Sequence, residues 1–564
     1  MNVLTFLNRT FLAVTVACLV TSVVPAWAAK DGVVFDAAAT NNGVATGSAS
    51  MAASSSSNGT VATASGDFSI ALGNNSSASN LESVSIGANT INTGDFATAV
   101  GNNNTVSALS AAAFGSSNTA SGADSFAAGT FSSAAGASSL AVGNAAQALG
   151  DSSTALGLGA LANDLTTGGQ STAVGAFSVA TGADSTAIGG ANTAGNAANA
   201  TGDGSVAVGT FTAATGTDSV AIGGTAFAPL QTTASGAQSI AIGSQTSATS
   251  TDAIAMGNSS SASGGTGAVA IGSHQTAIGD GAVAIGDPNT ATGTGAVAVG
   301  ANNTATGNGA LAVGDTNTAT GLGAIAAGSN VSATGTGSVG LGSNFSVSGR
   351  GSVAIGNPVN SSGQGAVALG DLSGANGDGA VAIGSSATAT GVSAIAMGTG
   401  ASATVNGAVA IGQGAVATNA NQVSLGSANS TYTLAGVTSA ASLASQSGPA
   451  RFVTTDSAGN LASSGFTVGG LENRLGALGS SIGGVRNEAR GGTALAMATG
   501  QIRYDDRPGK VSGGVGAGEF LGEGGGAFGV GYTLPCGAVR LNAAGGSSFR
   551  GDFGAGAGVS FTFN

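Results

Sequence analysis

The sequence predicts a mainly β protein in three parts: a long parallel β-roll of fourteen-residue repeats, a short coiled coil, and four strands that cross a membrane. Three observations carry this. A glycine recurs at fourteen-residue intervals through most of the chain, leucines and isoleucines then recur at alternating steps of four and three, and the C-terminal stretch alternates apolar residues with glycine or polar ones.

The repeat is seen best in Ala296-Val297-Ala298-Val299-Gly300. Its glycine returns from Gly73 to Gly157, at Gly175, Gly189, Gly209, Gly223, Gly243 and Gly257, and without interruption from Gly272 to Gly426. A fixed period this much shorter than a helical repeat means one solenoid coil per repeat. In Asn289-Thr290-Ala291-Thr292-Gly293 polar and apolar residues alternate, as in a strand with one wet face. Residues 295–300 are apolar on both faces, so both must be covered. The coil's own core covers one. The other requires a second surface, and because every repeat has the same need, the same strand in another copy of the chain is expected to supply it.

Composition excludes the simpler classes. Gly accounts for 101 of 564 residues, charged residues for 7 % and aromatics for 4 %, too few large side chains for a conventional globular core. Glycine does not fall at every third place, which excludes collagen, and the 42 % hydrophobic residues are held in register, which argues against disorder. Between Asp67 and Ala428 there are 15 acidic residues and one basic residue, Arg350, a net charge of −14. Such a surface repels nucleic acid and anionic lipid, so no nucleic-acid partner is expected.

Taken in order, the chain begins with Arg9, an apolar run from Phe11 to Val24 and Ala26-Trp27-Ala28, the pattern of a secretory signal cleaved near Ala28. Cys18 lies inside that run, which leaves Cys536 as the mature cysteine and predicts no intrachain disulfide. Residues 29–66 have no clear register and are either degenerate coils or a loose tip. The roll spans 67–428; some 25 coils stacked about 4.8 Å apart make a rod of roughly 120 Å. Extra residues before Gly175, Gly209 and Gly243 are expected to form projecting loops. A connector follows over 429–466. In it Ser430-Thr431-Tyr432-Thr433-Leu434 and Ala450-Arg451-Phe452-Val453-Thr454 read as strands and Asp456-Ser457-Ala458-Gly459-Asn460 as a turn.

Leu471, Leu475, Leu478, Ile482 and Val485, continued by Ala489, form a coiled-coil seam within 467–500. The glycines Gly476, Gly479, Gly483 and Gly484 each cost about 1 kcal/mol relative to Ala, so this helix is not expected to hold alone. Four strands fill 501–564: Lys510 to Glu519, Gly526 to Leu534, Ala538 to Gly545 and Gly554 to Phe563. Phe528, Val530, Tyr532, Val559, Phe561 and Phe563 would face lipid, and Gly529, Gly531, Gly556 and Gly558 a lumen. Closed barrels need about eight strands or more, so one chain is insufficient and three would supply twelve. The inward glycines leave room for the preceding helix.

The Ala-Val-Ala-Ile-Gly repeats, the coiled coil, and Arg490-Gly491-Gly492-Thr493-Ala494-Leu495-Ala496-Met497-Ala498 before four glycine-rich strands resemble the trimeric autotransporter adhesins, the YadA-like surface proteins of Gram-negative bacteria. The resemblance implies a homotrimer with a left-handed parallel β-roll head, a stalk, and a twelve-stranded outer-membrane barrel through which the head reaches the cell surface. It also implies partners: outer-membrane lipid, the barrel insertion machinery, and a host matrix protein, an abiotic surface or other cells. A structural surface-layer role is the alternative. Two departures are the short stalk and Asn564 after the terminal Phe563.

Nothing in the sequence assembles a catalytic or metal site. His274 stands alone on a regular repeat, whereas acid–base and metal chemistry need several converging groups. The aspartates lack the nine-residue Gly-Gly-x-Gly-x-Asp spacing of calcium rolls, so no cofactor and no metal are expected. Stacked Thr290-Ala291-Thr292, Thr304-Ala305-Thr306 and Thr318-Ala319-Thr320 resemble ice-binding arrays, but threonine is also an ordinary strand former on a wet face. Arg550-Gly551-Asp552 resembles an integrin-recognition tripeptide and reads equally as polar residues at a strand rim.

Overall fold

The computed structural model describes residues 32–36, 43–54, 60–164, 169–224 and 230–563. The expected signal peptide, 1–28, lies outside them. The chain divides into two compact units, Met1–Ser430 and Thr431–Asn564.

The first unit is the expected roll. Each coil contributes a longer strand and a short one, and every strand pairs in parallel with its equivalent in the next coil. The register repeats the sequence period: Val297 stands beside Leu311, Ala298 beside Ala312 and Gly300 beside Gly314. Backbone bonds of 2.8 Å from Val283 N–H to the Ala296 carbonyl and from Val297 N–H to the Ala310 carbonyl tie coil to coil. The pairing reaches further toward the N-terminus than the regular glycines do. Strand Gly32–Asp36 pairs with Ser50–Ser54, and Val44–Ala45 with Thr63–Ala64. The described part of 29–66 is therefore coil.

The interior is one methyl thick. Ala296, Ala298 and Ala305 are completely buried, as are their equivalents along the roll. Gly300 has φ +119°, a conformation closed to L side chains, and a Cβ there would collide with the Gly314 carbonyl of the next coil. In the longest uninterrupted stretch an amide ladder runs through this interior. Asn289 Nδ2 donates to the carbonyls of Ile285 (2.9 Å) and Gly300 (2.8 Å), while its Oδ1 accepts from Asn303 N–H at 2.9 Å. Asn303 and Asn317 repeat the arrangement, and Val331 N–H closes it on Asn317 Oδ1 at 3.0 Å. Every amide is satisfied, which is the condition for burying one. Beyond it the same column turns apolar with Val331 and Phe345, and the core alanine opposite is replaced by Gly340.

The outer face of the longer strands is uncovered in a single chain. Ile285, Ile355, Met397 and Ile411, each just before the repeat glycine, are 37–41 % exposed.

Ser430–Leu434 forms no strand, contrary to the sequence reading, and is exposed. Alternating Thr and large apolar residues gave the signal, but without a neighbouring backbone the alternation builds no ladder. A short helix, α1 (Ala440–Ala444), follows. The non-repeating strands begin with β1 (Arg451–Thr455) and β2 (Leu461–Thr467), an antiparallel pair. Asp456 caps their turn: its Oδ1 accepts from Ala458 and Asn460 N–H, both at 2.9 Å, and Asn460 Nδ2 donates to Oδ2 at 2.8 Å. These bonds, the Asn460 side chain's first, hold the Asp456 carboxyl below its ordinary range. Helix α2 (Val468–Gly500) and strands β3 (Val511–Phe520), β4 (Glu523–Thr533), β5 (Val539–Ser548) and β6 (Phe553–Phe561) complete the second unit.

A Cβ on Gly340 would lie 2.7 Å from Val331 Cγ1 and 3.1 Å from Val347 Cγ2. Gly340→Ala should therefore destabilise the roll by about 1–3 kcal/mol through overpacking, although Ala is native at the equivalent Ala326 and Ala354. Adding Val331→Ala, which removes the nearer methyl, should recover most of the loss in thermal denaturation followed by circular dichroism. Additive losses would mean that the two sites do not share space.

Candidate functional site

Helix α2 carries two chemistries. Thr467 caps its start, its Oγ1 accepting from Gly470 N–H at 3.0 Å. In the first half the seam side chains Leu471, Leu475, Leu478, Ile482 and Val485 are exposed, 41–65 %, with no partner surface among the described residues. In the second half Gly491, Ala494, Leu495 and Ala498 are buried against the sheet.

The sheet has the order β3-β4-β5-β6, each strand antiparallel to the next. Its two faces differ sharply. Toward α2 stand Gly514, Gly516 and Gly518 of β3, Gly525 of β4, Gly546 of β5 and Gly554 of β6. A Cβ on Gly514 would come within 2.7 Å of Ile502 Cγ2, and one on Gly546 within 2.7 Å of Leu495 Cδ1. Gly516 and Gly518 lie directly against the carbonyls of Ala498 and Ala494. The glycines are the space the helix occupies. Leu495, Ala498, Ile502 and Ala527 form the small core between them.

Gly529 and Gly531 are buried on this same face, beneath a residue that sequence reasoning did not single out. The Tyr504 ring covers Gly531, where a Cβ would lie 2.7 Å from Cδ1, and its hydroxyl reaches Gly529. The segment carrying Tyr504 is fastened on both sides. Thr533 Oγ1 donates to the Asp505 carbonyl at 2.9 Å, and Asp505 N–H donates to Ser512 Oγ at 3.0 Å. Arg507 pairs with the Asp505 carboxylate at 2.6 Å. That hydrogen-bonded pairing pushes the Asp505 pKa down to about 2, so its contribution persists across the neutral and mildly acidic range and is lost only as pH falls through about 2. The signal available in the sequence was the lone tyrosine between helix and first strand, opposite consecutive small residues.

Gly556 and Gly558 share the face by register, Gly556 beside Ala544 and Gly558 beside Asn542. The helix does not reach them: nothing lies within 4 Å of a Cβ on Gly556, and Gly558 meets only Asn542. On the opposite face Phe528, Val530, Tyr532, Val559, Phe561 and Phe563 are 38–89 % exposed. The outer edges of β3 and β6 are unpaired within the chain.

The remaining candidates stay apart from any site. His274 is exposed, its Nδ1 2.7 Å from Ser273 Oγ. Among the described residues no group of three or more His, Cys, Asp or Glu could hold a metal, and Cys536 is free and exposed. At the β5–β6 turn Arg550 Nε donates to Glu523 Oε2 at 2.8 Å, and Ser548 Oγ to Asp552 Oδ2 at 3.0 Å. Both ends of the Arg-Gly-Asp tripeptide are occupied within the chain.

Comparison with known proteins matches both units. Residues 503–563 match the YadA-like membrane anchor domain. The YadA head domain repeat matches in successive stretches from 52–76 to 389–415, together more than half of the chain. Autotransporter adhesin BtaE of Brucella suis biovar 1 is 42 % identical over 93 residues, 16 % of this chain and 12 % of that protein. Autotransporter adhesin BtaF of the same organism is 40 % identical over 99 residues, 17 % of this chain and 34 % of that protein. The matched region thus spans about a third or less of these relatives.

Gly531→Leu would drive a side chain into the Tyr504 ring, an overpacking of about 1–3 kcal/mol per copy. The yield of membrane-inserted, heat-modifiable protein should fall, and Tyr504→Ala in the same chain should restore part of it. Unchanged insertion of Gly531→Leu would mean that the two faces of the sheet are reversed.

Proposed function

Because the chain belongs to the YadA-like autotransporter adhesins, with an outer-membrane anchor and a surface-exposed head, we propose that three copies assemble and that the roll attaches the cell to a host matrix protein, an abiotic surface or other cells. The observation that carries this reading is that one chain leaves three surfaces incomplete. The roll's outer apolar column, the helix seam from Leu471 to Val485 and the two edges of the four-strand sheet are left uncovered by the described residues of one chain. Three copies complete all of them with one symmetry axis, since twelve strands close a barrel and four do not.

In that assembly the glycine face becomes the lumen. Gly529, Gly531, Gly556 and Gly558 look inward and the Phe528–Phe563 set looks into lipid, where a membrane requires a closed wall with no free edge. Insertion falls to the cell's barrel insertion machinery. The division into head (67–428, continued N-terminally), connector (429–466), stalk and pore helix (467–500) and anchor (501–564) follows from the same reading. We assign the chain no catalytic role, in keeping with a family named for attachment.

Mass measurement in mild detergent should give three chains, with monomer appearing only on harsh denaturation; a stable folded monomer would sink this architecture. Displaying cells should adhere to matrix-coated or plastic surfaces, and cells carrying an anchor without the roll should not. Asp552→Glu should leave adhesion unchanged, since Asp552 serves its own turn. Loss of adhesion with normal assembly and display would move the binding site into the anchor loop.

A further inference from the structure

The turns between the short and long strands of most coils carry only small or polar residues, but from Asp67 to Ser110 each turn pairs a small or polar residue with a large apolar one. Asp67-Phe68, Leu81-Glu82, Asp95-Phe96 and Leu109-Ser110 occupy this corner in four consecutive coils. Phe68 is 60 % exposed, Leu81 38 %, Phe96 42 % and Leu109 50 %. Phe68 and Phe96 are held at φ +55° and +58°, where a bulky side chain is unusual and the backbone strained.

The stacking sorts these residues into bands. The second turn residue of each coil donates its N–H to the carbonyl of the first turn residue one coil earlier: Glu82 to Asp67, Phe96 to Leu81, Ser110 to Asp95 and Asp124 to Leu109, at 2.7–2.8 Å. Along the corner an apolar Phe68 is followed by the acidic pair Asp67/Glu82, the apolar pair Leu81/Phe96, Asp95 beside Ser110, and the mixed pair Leu109/Asp124. From Phe68 to Asp95 apolar and acidic bands alternate one coil apart, about 4.8 Å. Each carboxylate that bonds within the fold uses one oxygen, Asp67 Oδ1 accepting from Ser48 N–H and Asp95 Oδ1 from Leu81 N–H.

We propose that this corner is a docking ridge for a basic amphipathic helix that presents leucine-like and lysine- or arginine-like side chains at alternate turns. Charge complementarity selects a cationic partner, because the corner carries only carboxylates and the surrounding roll is acidic. The spacing selects a helix lying along the roll axis: its pitch of about 5.4 Å brings successive turns onto successive bands, with a mismatch over four coils that side chains can absorb. The aromatic anchors are the residue type that carries binding energy at protein surfaces, in a protein whose aromatic content is only 4 %. The proposal rests on the adhesin reading only in that it places the ridge outside the cell.

The test uses the full chain displayed on cells and a fluorescent eighteen-residue peptide with Leu and Lys on alternate turns of one face. A scrambled peptide of the same composition and a Leu/Glu version serve as controls. Phe68→Asn with Phe96→Asn should lower binding of the Leu/Lys peptide by about tenfold or more. Asn suits the turn, since Asn421 holds the same place at φ +59°. Asp67→Asn with Asp95→Asn should weaken binding and flatten its salt dependence. The fold tolerates that exchange because Asn308 and Asn406 make the same turn bond through Oδ1. Equal binding of the scrambled peptide, or unchanged binding by the Phe variants, overturns the ridge. So does loss of the detergent-resistant assembly in the Phe variants, which would mean that a second copy covers these residues. Cells that adhere to surfaces but never bind the peptide refute the ridge and keep the adhesin reading; cells that bind the peptide yet adhere to nothing do the reverse.

Discussion

The closeness of successive coils governs this molecule. Parallel strands one coil apart place backbone against backbone, and the two walls of a coil lie so near each other that most interior positions of the strands take a methyl group, with most of the larger side chains, such as Asn303 and Val331, in one column. Ala298 and Ala305 supply such methyls, while Gly300 and Gly307 stand where a Cβ would strike the next coil. Such an interior buries little apolar surface per residue, so the roll cannot rest on its own core as a globular domain does. It draws on the coil-to-coil backbone bonds, on satisfied amides such as those of Asn289, Asn303 and Asn317, and on whatever covers the isoleucines outside. In the assembly we propose, oligomerisation is the consequence of a thin core.

The same rule, glycine where another backbone must approach, builds the anchor by different means. In the roll the approaching backbone belongs to the next coil and the spacing is periodic. In the C-terminal sheet it belongs to α2, and the glycines follow the path of a helix crossing the strands: Gly514, Gly516 and Gly518, then Gly525, Gly546 and Gly554. The helix answers with Gly491, Ala494 and Ala498 on the facing side. Where the helix has ended, Tyr504 returns to fill the depression that remains over Gly529 and Gly531. Small residues on both partners buy close packing without side-chain interdigitation, and the seam leucines of the first half stay exposed in one chain.

How much of this was legible follows from which features are periodic. The fourteen-residue register, the doubly apolar strand and the alternation of Phe528 with Gly529 are repeated signals, and the strands fall within a few residues of where they were read. The amide ladder was not anticipated, because an isolated Asn303 looks like any turn-forming asparagine; only the coil places it inside, four residues from the carbonyl it bonds. Tyr504 was missed for a related reason: its partner glycines are distant in sequence and its segment is irregular. Ser430–Leu434 misled in the opposite direction, since alternation alone does not make a strand where no described strand runs alongside.

What repetition cannot dictate is the corner. Interior positions of a coil are fixed by sterics and the outer face of the long strand by the need for cover, but the turn between strands asks only for a left-handed backbone conformation that Gly, Asn, Asp and Ser meet at little cost. A large residue there gains no packing from the fold and adds strain to it. Phe68 and Phe96, both strained and both exposed beside carboxylates, gain no packing from the described residues of one chain, and the docking ridge we propose is what would give them a use.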